Sequence, residues 1–188
     1  MRYSKEHKAR TRRALIDAAG RVFRENGEAG GGVDAVATAA GVTSGAVYRQ
    51  FGSKDDLFET VVADGMDRLV DFLAAARDKG GDAWIRDVID FYVGRKHVGD
   101  PGGGCLLPTL SLDVGRGGAG ARNAYNEGLA RALAVIAGDH AASDMTETRA
   151  AHLLASLLGA VILSRATGDD SLRQDLQKAL LAQFGAEK

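Results

Sequence analysis

Two groups of side chains in this 188-residue chain have types and spacing that suit chemistry. The first is Thr43, Ser44, Gly45, Tyr48, Arg49, Gln50 and Lys54. Hydroxyls, an amide, a guanidinium and an ammonium so close together can hydrogen-bond phosphate oxygens and base edges. They transfer no group; their chemistry is recognition. The second is Cys105, which follows Gly102-Gly103-Gly104, with His97 upstream. A thiol beside an imidazole is the pairing of a nucleophile with its base. A thiol at a helix N-terminus has its pKa lowered by the dipole and suits a sensor. An inert, small apolar core cysteine is the simpler reading of the same residue. No third residue that would orient His97 is evident, and His7, His97, His140 and His152 lack the spacing of metal ligands.

The elements that must position these groups are helical. Val33 to Ala40 and Ser44 to Gln50 are two short apolar-patterned segments separated by Gly41. A glycine at that junction makes a helix-turn-helix, whose second helix enters a DNA major groove. Gly41 suits the turn because a residue without Cβ reaches positive φ at little cost. Thr43 is expected to cap the second of these helices through its hydroxyl. Val36, Ala40 and Val47 close the small core between them. A longer helix over 4–26 precedes them, with Ala14, Leu15, Ala18, Ala19, Val22 and Phe23 in one stripe. Its early basic residues are placed for phosphate contact.

Beyond the helix-turn-helix, Ser53 caps a helix with Asp55 and Asp56 in its first turn, running to about residue 78. Gly80-Gly81 breaks the chain, and Asp82 is expected to cap a fifth helix over 83–98. A sixth covers Cys105 to about Val114, a seventh 121–140, an eighth 146–167 opened by Asp144 and Glu147, and a ninth 171–184. Gly115-Arg116-Gly117-Gly118-Ala119-Gly120 matches the letters of a dinucleotide fingerprint. The fingerprint needs a strand before it and a βαβ unit around it, and neither pattern is present. Phe72, Trp84, Val88, Phe91, Tyr92, Cys105, Leu106, Thr109, Leu110, Tyr125 and Leu129 are the candidates to line an apolar effector cavity in the body. The last two helices carry wide apolar faces with small residues between. Leu153, Leu154, Leu157, Leu158, Val161, Ile162, Leu176, Leu180 and Phe184 are the expected dimer contacts.

Net charge is −1, which by itself points to no polyanion, but its distribution does. Residues 1–54 hold ten Lys/Arg against five acids, and the remainder is acidic. A basic head on an acidic body lets one end approach a polyanion. The single cysteine excludes an intrachain disulfide and fits a reducing cytoplasm. No apolar run approaches the roughly 20 residues of a membrane span, and the charged N-terminus lacks a signal-peptide core.

The ordered set Ala18-Ala19-x-x-Val22-Phe23, Gly27, Val33-Asp34-x-Val36-Ala37 and Ala40-Gly41-Val42-Thr43-x-Gly45-x-Val47-Tyr48-x-x-Phe51-x-Ser53-Lys54-x-x-Leu57 resembles the TetR family of one-component transcriptional regulators. The resemblance covers roughly residues 10–58. It implies an all-helical body that dimerises through its last two helices. It places Thr43, Ser44 and Gly45 where the recognition helix enters the groove. Tyr48, Arg49 and Gln50 fall where phosphates or base edges are touched, and Lys54 where a backbone phosphate is held. The chain departs from the family at Gly31 and Gly32, where Thr and Ser usually open the second helix, and at Glu28, where an aromatic usually stands. The stretch Gly104-Cys105-Leu106-Leu107-Pro108 also looks like a branch in which a Gly-Cys pair opens the sixth helix. Some members of related branches respond there to electrophiles or oxidants.

The expectation is an all-α chain of about nine helices, with a DNA-binding domain over 1–53 and an effector-binding and dimerisation domain over 54–188. The expected function is a cytoplasmic, homodimeric DNA-binding regulator, a repressor released from a near-palindromic operator by a small apolar or electrophilic effector. It is not an enzyme, needs no cofactor or metal, and has no membrane partner. The alternatives are a helical ligand-binding protein without specific DNA activity and, more remotely, a Cys105-dependent enzyme with His97 as base.

Overall fold

The computed structural model describes residues 5–138 and 145–185. Among these it contains ten α-helices and one short 3₁₀ turn, and no strand. Three helices form the head: α1 (Lys5–Gly30), α2 (Val33–Ala40) and α3 (Ser44–Phe51). Gly27 interrupts α1 with non-helical torsions (φ 73°), so the stripe of Leu15, Ala19, Val22 and Phe23 ends there and one further turn follows. Gly41 takes the left-handed conformation at φ 66°, which only glycine adopts at little cost, and its N–H closes the end of α2. Thr43 stands at the N-cap of α3 in extended backbone, but its hydroxyl caps nothing, contrary to the expectation. Val36 and Val47 are buried between the helices, and Ala40 is half-buried.

α4 (Lys54–Gly80) links the head to the body. Ser53 caps it by accepting the Asp56 N–H at 3.0 Å, and Asp55 and Asp56 meet the positive end of its dipole. At about 1.5 Å per residue α4 is some 40 Å long. Its buried side, from Leu57 through Met66 to Leu73, packs against α8 (Ala119–Ala137) more extensively than any other pair of helices packs.

The expected helix over 83–98 is two. A 3₁₀ turn over Gly81–Ala83 leads into α5 (Trp84–Tyr92), with Ala83 rather than Asp82 at the N-cap. The helix stops at Val93, and α6 (Arg95–Gly99) starts after Gly94 in extended backbone. This split adds one to the count of about nine. α7 (Leu107–Arg116) begins two residues later than expected, with Pro108 in its first turn, where a missing N–H costs nothing. α9 (Glu147–Thr167) is capped by Thr146, whose hydroxyl accepts the Arg149 N–H; the expected partner Asp144 lies outside the described residues. α10 (Asp170–Phe184) is capped by the Asp169 carboxylate.

Most of the expected dimer contacts are covered by the protomer itself. Leu153, Leu154, Leu157, Val161, Leu180 and Phe184 are buried within the protomer, because α9 packs on α7, α8 and α10 at once. Leu158 and Leu176 are half-buried, and Ile162 is exposed. Leu163 and Leu172 are also exposed, and nothing lies over Gly159. α9 is long and apolar enough to cross a membrane by composition alone, yet its inner side is packed into the core.

Candidate nucleic-acid interface and ligand cavity

At the exposed end of the head, α3 presents Thr43, Gly45, Tyr48 and Arg49 to solvent. Tyr48 is 50% exposed, unusual for a large aromatic, and with no side-chain partner among the described residues its ring and hydroxyl can contact a ligand. The other expected contacts are engaged. The Ser44 hydroxyl donates to the Asp34 carboxylate, which ties α3 to α2. Gln50 is half-buried; its backbone carbonyl accepts from Arg12 Nη1 at 3.4 Å, a contact that leaves the side-chain amide unused. The same guanidinium lies 4.6 Å from the centre of the Phe51 ring, a cation–π contact that anchors α1 on the end of α3. Lys54 pairs with Glu28 at 2.9 Å, both half-buried.

These contacts explain the departures noted in the sequence. Glu28 is the ion-pair partner of Lys54. Gly31 is buried, and a side chain there would run into the Phe23 ring, so no hydroxyl fits. α2 starts at Gly32 without a side-chain cap. Phe23 accounts for the glycine at 31; a side chain at Gly32 would meet nothing, and the structure does not explain the glycine there.

The second site is a cavity of about 190 Å³ where the head meets the body. Its walls are Leu69 and Phe72 of α4, Phe91 and Tyr92 of α5, and Leu106. Its polar groups are Arg24 of α1, Arg68 of α4 and His97 of α6, and no acidic residue lines it. Of the expected lining residues, Phe72, Phe91, Tyr92, Cys105 and Leu106 border the cavity. Trp84, Val88 and Leu110 are core residues away from it. The Thr109 hydroxyl donates to the Leu106 carbonyl at 3.0 Å. The Tyr125 hydroxyl meets Ser111 Oγ at 2.8 Å, and Leu129 is half-buried on α8.

His97 is buried, and both ring nitrogens are committed. Nδ1 lies 2.8 Å from the Tyr92 carbonyl, which only accepts, so Nδ1 carries the proton. Nε2 then accepts the Cys105 backbone N–H at 3.0 Å. Burial holds the imidazole neutral by lowering its pKa; the Tyr92 carbonyl opposes this and the Arg165 charge adds to it. Gly104 lets the loop close on this ring, since a Cβ there would press on His97 Nε2 and on Arg165.

This geometry corrects the reading of Cys105. The residue precedes α7 by two positions, and burial pushes its thiol pKa up. The Tyr92 hydroxyl and the Leu107 N–H both donate to Sγ and pull the other way, but burial outweighs them. The nearby His97 touches the backbone of Cys105, not its sulfur, and keeps no free nitrogen to take the thiol proton.

Arg24 was hidden in the sequence. It flanks the apolar stripe of α1 and reads as an ordinary charged helix face. In the fold it is half-buried, its Nε donates to the Gly102 carbonyl at 2.7 Å, and no carboxylate among the described residues pairs with it. Burial lowers its pKa. Arg68 contrasts with it: its guanidinium joins Asp17 and Asp64, which Arg13 also bridges. These four side chains tie α1 to α4 beside the cavity.

Comparison with known proteins places the head. Residues 15–61 match the family model described as "Bacterial regulatory proteins, tetR family". The HTH-type transcriptional regulator AcrR of Shigella flexneri is 38% identical over 60 residues, 32% of this chain and 28% of that protein. The HTH-type transcriptional repressor BepR of Brucella suis biovar 1 is 40% identical over 62 residues, 33% of this chain and 30% of that protein. The alignment thus spans less than a third of either relative. Among solved structures, the transcriptional regulator FadR from Bacillus subtilis, in complex with stearoyl-CoA, superposes with a TM-score of 0.70. It is 18% identical, and 93% of this chain and 97% of that one are covered, a likeness of fold.

Proposed function

We propose, from the match of residues 15–61 to the TetR family of bacterial regulatory proteins, that the chain is a homodimeric repressor released from operator DNA by a small ligand. The observation that carries the reading is the exposed face of α3. Tyr48 and Arg49 stand free at the end of a basic head, while the residues around them are held by contacts within the fold. In this reading Thr43 and Gly45 enter the major groove with the N-terminus of α3. Arg49, with the basic residues early in α1, neutralises phosphates. Ser44 and Lys54 contribute to the degree that Asp34 and Glu28 release them, and the half-buried Gln50 adds its side-chain amide.

A second copy doubles the contact and fixes the spacing of two heads at about one DNA turn, roughly 34–36 Å, for a near-palindromic site. Ile162, Leu163 and Leu172 form an exposed apolar surface on α9 and α10, with the open Gly159 allowing close approach, and this surface is where a partner packs. Repression is the polarity stated for the BepR relative. Ligand in the cavity acts by favouring one of two head arrangements, and it shifts the balance only by its differential affinity for them.

Fluorescence anisotropy with the DNA upstream of this gene and its neighbours tests the reading. Specific binding that weakens steeply with salt is expected. A folded, dimeric protein that binds no promoter DNA above the level of random sequence would falsify it and favour a helical ligand-binding protein instead.

A further inference from the structure

We propose that the effector is a small carboxylate with an apolar body of about one ring or a short alkyl chain, and that Arg24 holds its carboxylate. The inference rests on the cavity being the effector site of the regulator described above. Three observations carry it.

The first is charge. Arg24 and Arg68 face the cavity, His97 is fixed neutral, and no acid lines the wall. Arg24 spends only its Nε on the protein, at Gly102, and has no anion. A half-buried guanidinium without a counter-charge leaves planar N–H donors that match a carboxylate in two-point geometry. The nearby acids do not supply it: Asp100 joins Arg21, and Asp64 joins Arg13 and Arg68.

The second is shape. Phe72 and Phe91 lie 4.8 Å apart between ring centres and tilted at 35°, so they form one apolar wall. Phe91 is 51% exposed at its outer edge, an uncovered aromatic at the rim of a cavity. A ring or alkyl chain lying on these two residues removes that surface from water.

The third is size. An apolar cavity of about 150 Å³ holds benzene, so the 190 Å³ here admits a single ring with a short acid arm, or a chain of about six carbons. Arg24 belongs to the head and Arg68 to the linking helix, so the cavity lies across the joint whose movement the function requires.

Calorimetry on the full chain with benzoate, phenylacetate and hexanoate, beside benzyl alcohol, benzamide and hexanol, tests this. The acids are expected to bind at least about tenfold more tightly than their neutral counterparts, the worth of a charge-assisted hydrogen bond. In Arg24→Gln that preference is expected to vanish while the neutral compounds bind unchanged. Arg24→Lys, which keeps the charge, retains part of it. Phe91→Ala weakens acids and neutral compounds alike. Equal binding of acids and neutral isosteres overturns the proposal. So does an absence of binding by every compound to the folded protein, or a loss of both classes together in the two Arg24 variants, which makes Arg24 a wall and not an anchor. Selective acid binding by a protein that ignores DNA upholds the site and rejects the regulator, so the two failures are distinct.

Discussion

At the scale of single residues, the contacts that matter are those that compete with function. Lys54 is the residue the family pattern assigns to a phosphate, yet it is bound to Glu28 at 2.9 Å. A partly exposed pair of this kind is worth only about 0–1 kcal/mol, less than a phosphate contact returns at low salt. Glu28→Ala therefore releases Lys54 at little cost to the fold. Operator affinity is expected to rise a few-fold, and the log–log salt dependence to steepen by about one unit, read from anisotropy at several salt concentrations. An unchanged slope means that Lys54 never reaches the backbone. Arg49→Ala moves the other way, lowering affinity and flattening the slope by about one unit. His97 sets a pH limit. Its native pKa is depressed by burial, so the folded state binds fewer protons than the unfolded chain just below the ordinary value of 6.5. Stability is thus fully present above about pH 6.5 and declines as pH falls towards the native value. Protonation would also take away the lone pair that accepts the Cys105 N–H. Urea midpoints between pH 5 and 8 should rise and then level off in the native chain, and lose that slope in His97→Gln. A slope that survives the substitution places the titrating group elsewhere.

At the scale of elements, what was legible in the sequence was local. Gly41 between two apolar-patterned segments, and Ser53 before two acids, are signals contained in a few consecutive residues, and α2, α3 and the start of α4 follow them. The break at Val93–Gly94 was missed because the apolar spacing continues across it; the turn is imposed by α6 folding back so that His97 meets Tyr92. Most of the expected dimer contacts, though not Ile162, lie inside the protomer, and this was missed for a similar reason. A helix apolar around most of its circumference does not declare which leucines its own chain covers. Here α7, α8 and α10 cover Leu153, Leu157 and Val161, and leave Ile162 and Leu163. The two sets predict opposite behaviour. Ile162→Glu with Leu163→Glu should shift sedimentation from dimer to monomer with a folded spectrum. Leu157→Ala should lower protomer stability by about 2–5 kcal/mol through the cavity it leaves. If the paired glutamates leave the dimer intact, the partner docks on another face.

At the scale of the whole molecule, the head and body meet at two places beside the cavity. Arg13 and Asp17 of α1 interlock with Asp64 and Arg68 of α4, and Arg24 reaches from α1 to the Gly102 loop. No spacing rule could reveal this, since Arg24 and Arg68 lie on separate helices and only the fold brings them to one cavity. Arg13, Asp17 and Arg68 of the clamp are about half exposed and Asp64 is 21% exposed, so each pair contributes about 0.2–1 kcal/mol. Together the pairs are comparable to the roughly 1–3 kcal/mol by which an effector shifts affinity at a distant site. A ligand carboxylate that attracts Arg68 weakens its hold on Asp17, and the head then turns more freely about α4. Asp17→Asn removes that hold in advance. The variant should fold normally, since Asp17 is about half exposed (48% for its side chain). Its DNA affinity without ligand changes through the lost negative charge as well as the loosened joint, so the decisive quantity is the ratio of affinities with and without a cavity ligand. In Asp17→Asn that ratio should fall several-fold towards one, while calorimetry still shows the ligand bound. A ratio equal to that of the native chain would show that the signal passes through α4 alone and leaves the clamp as a static tie.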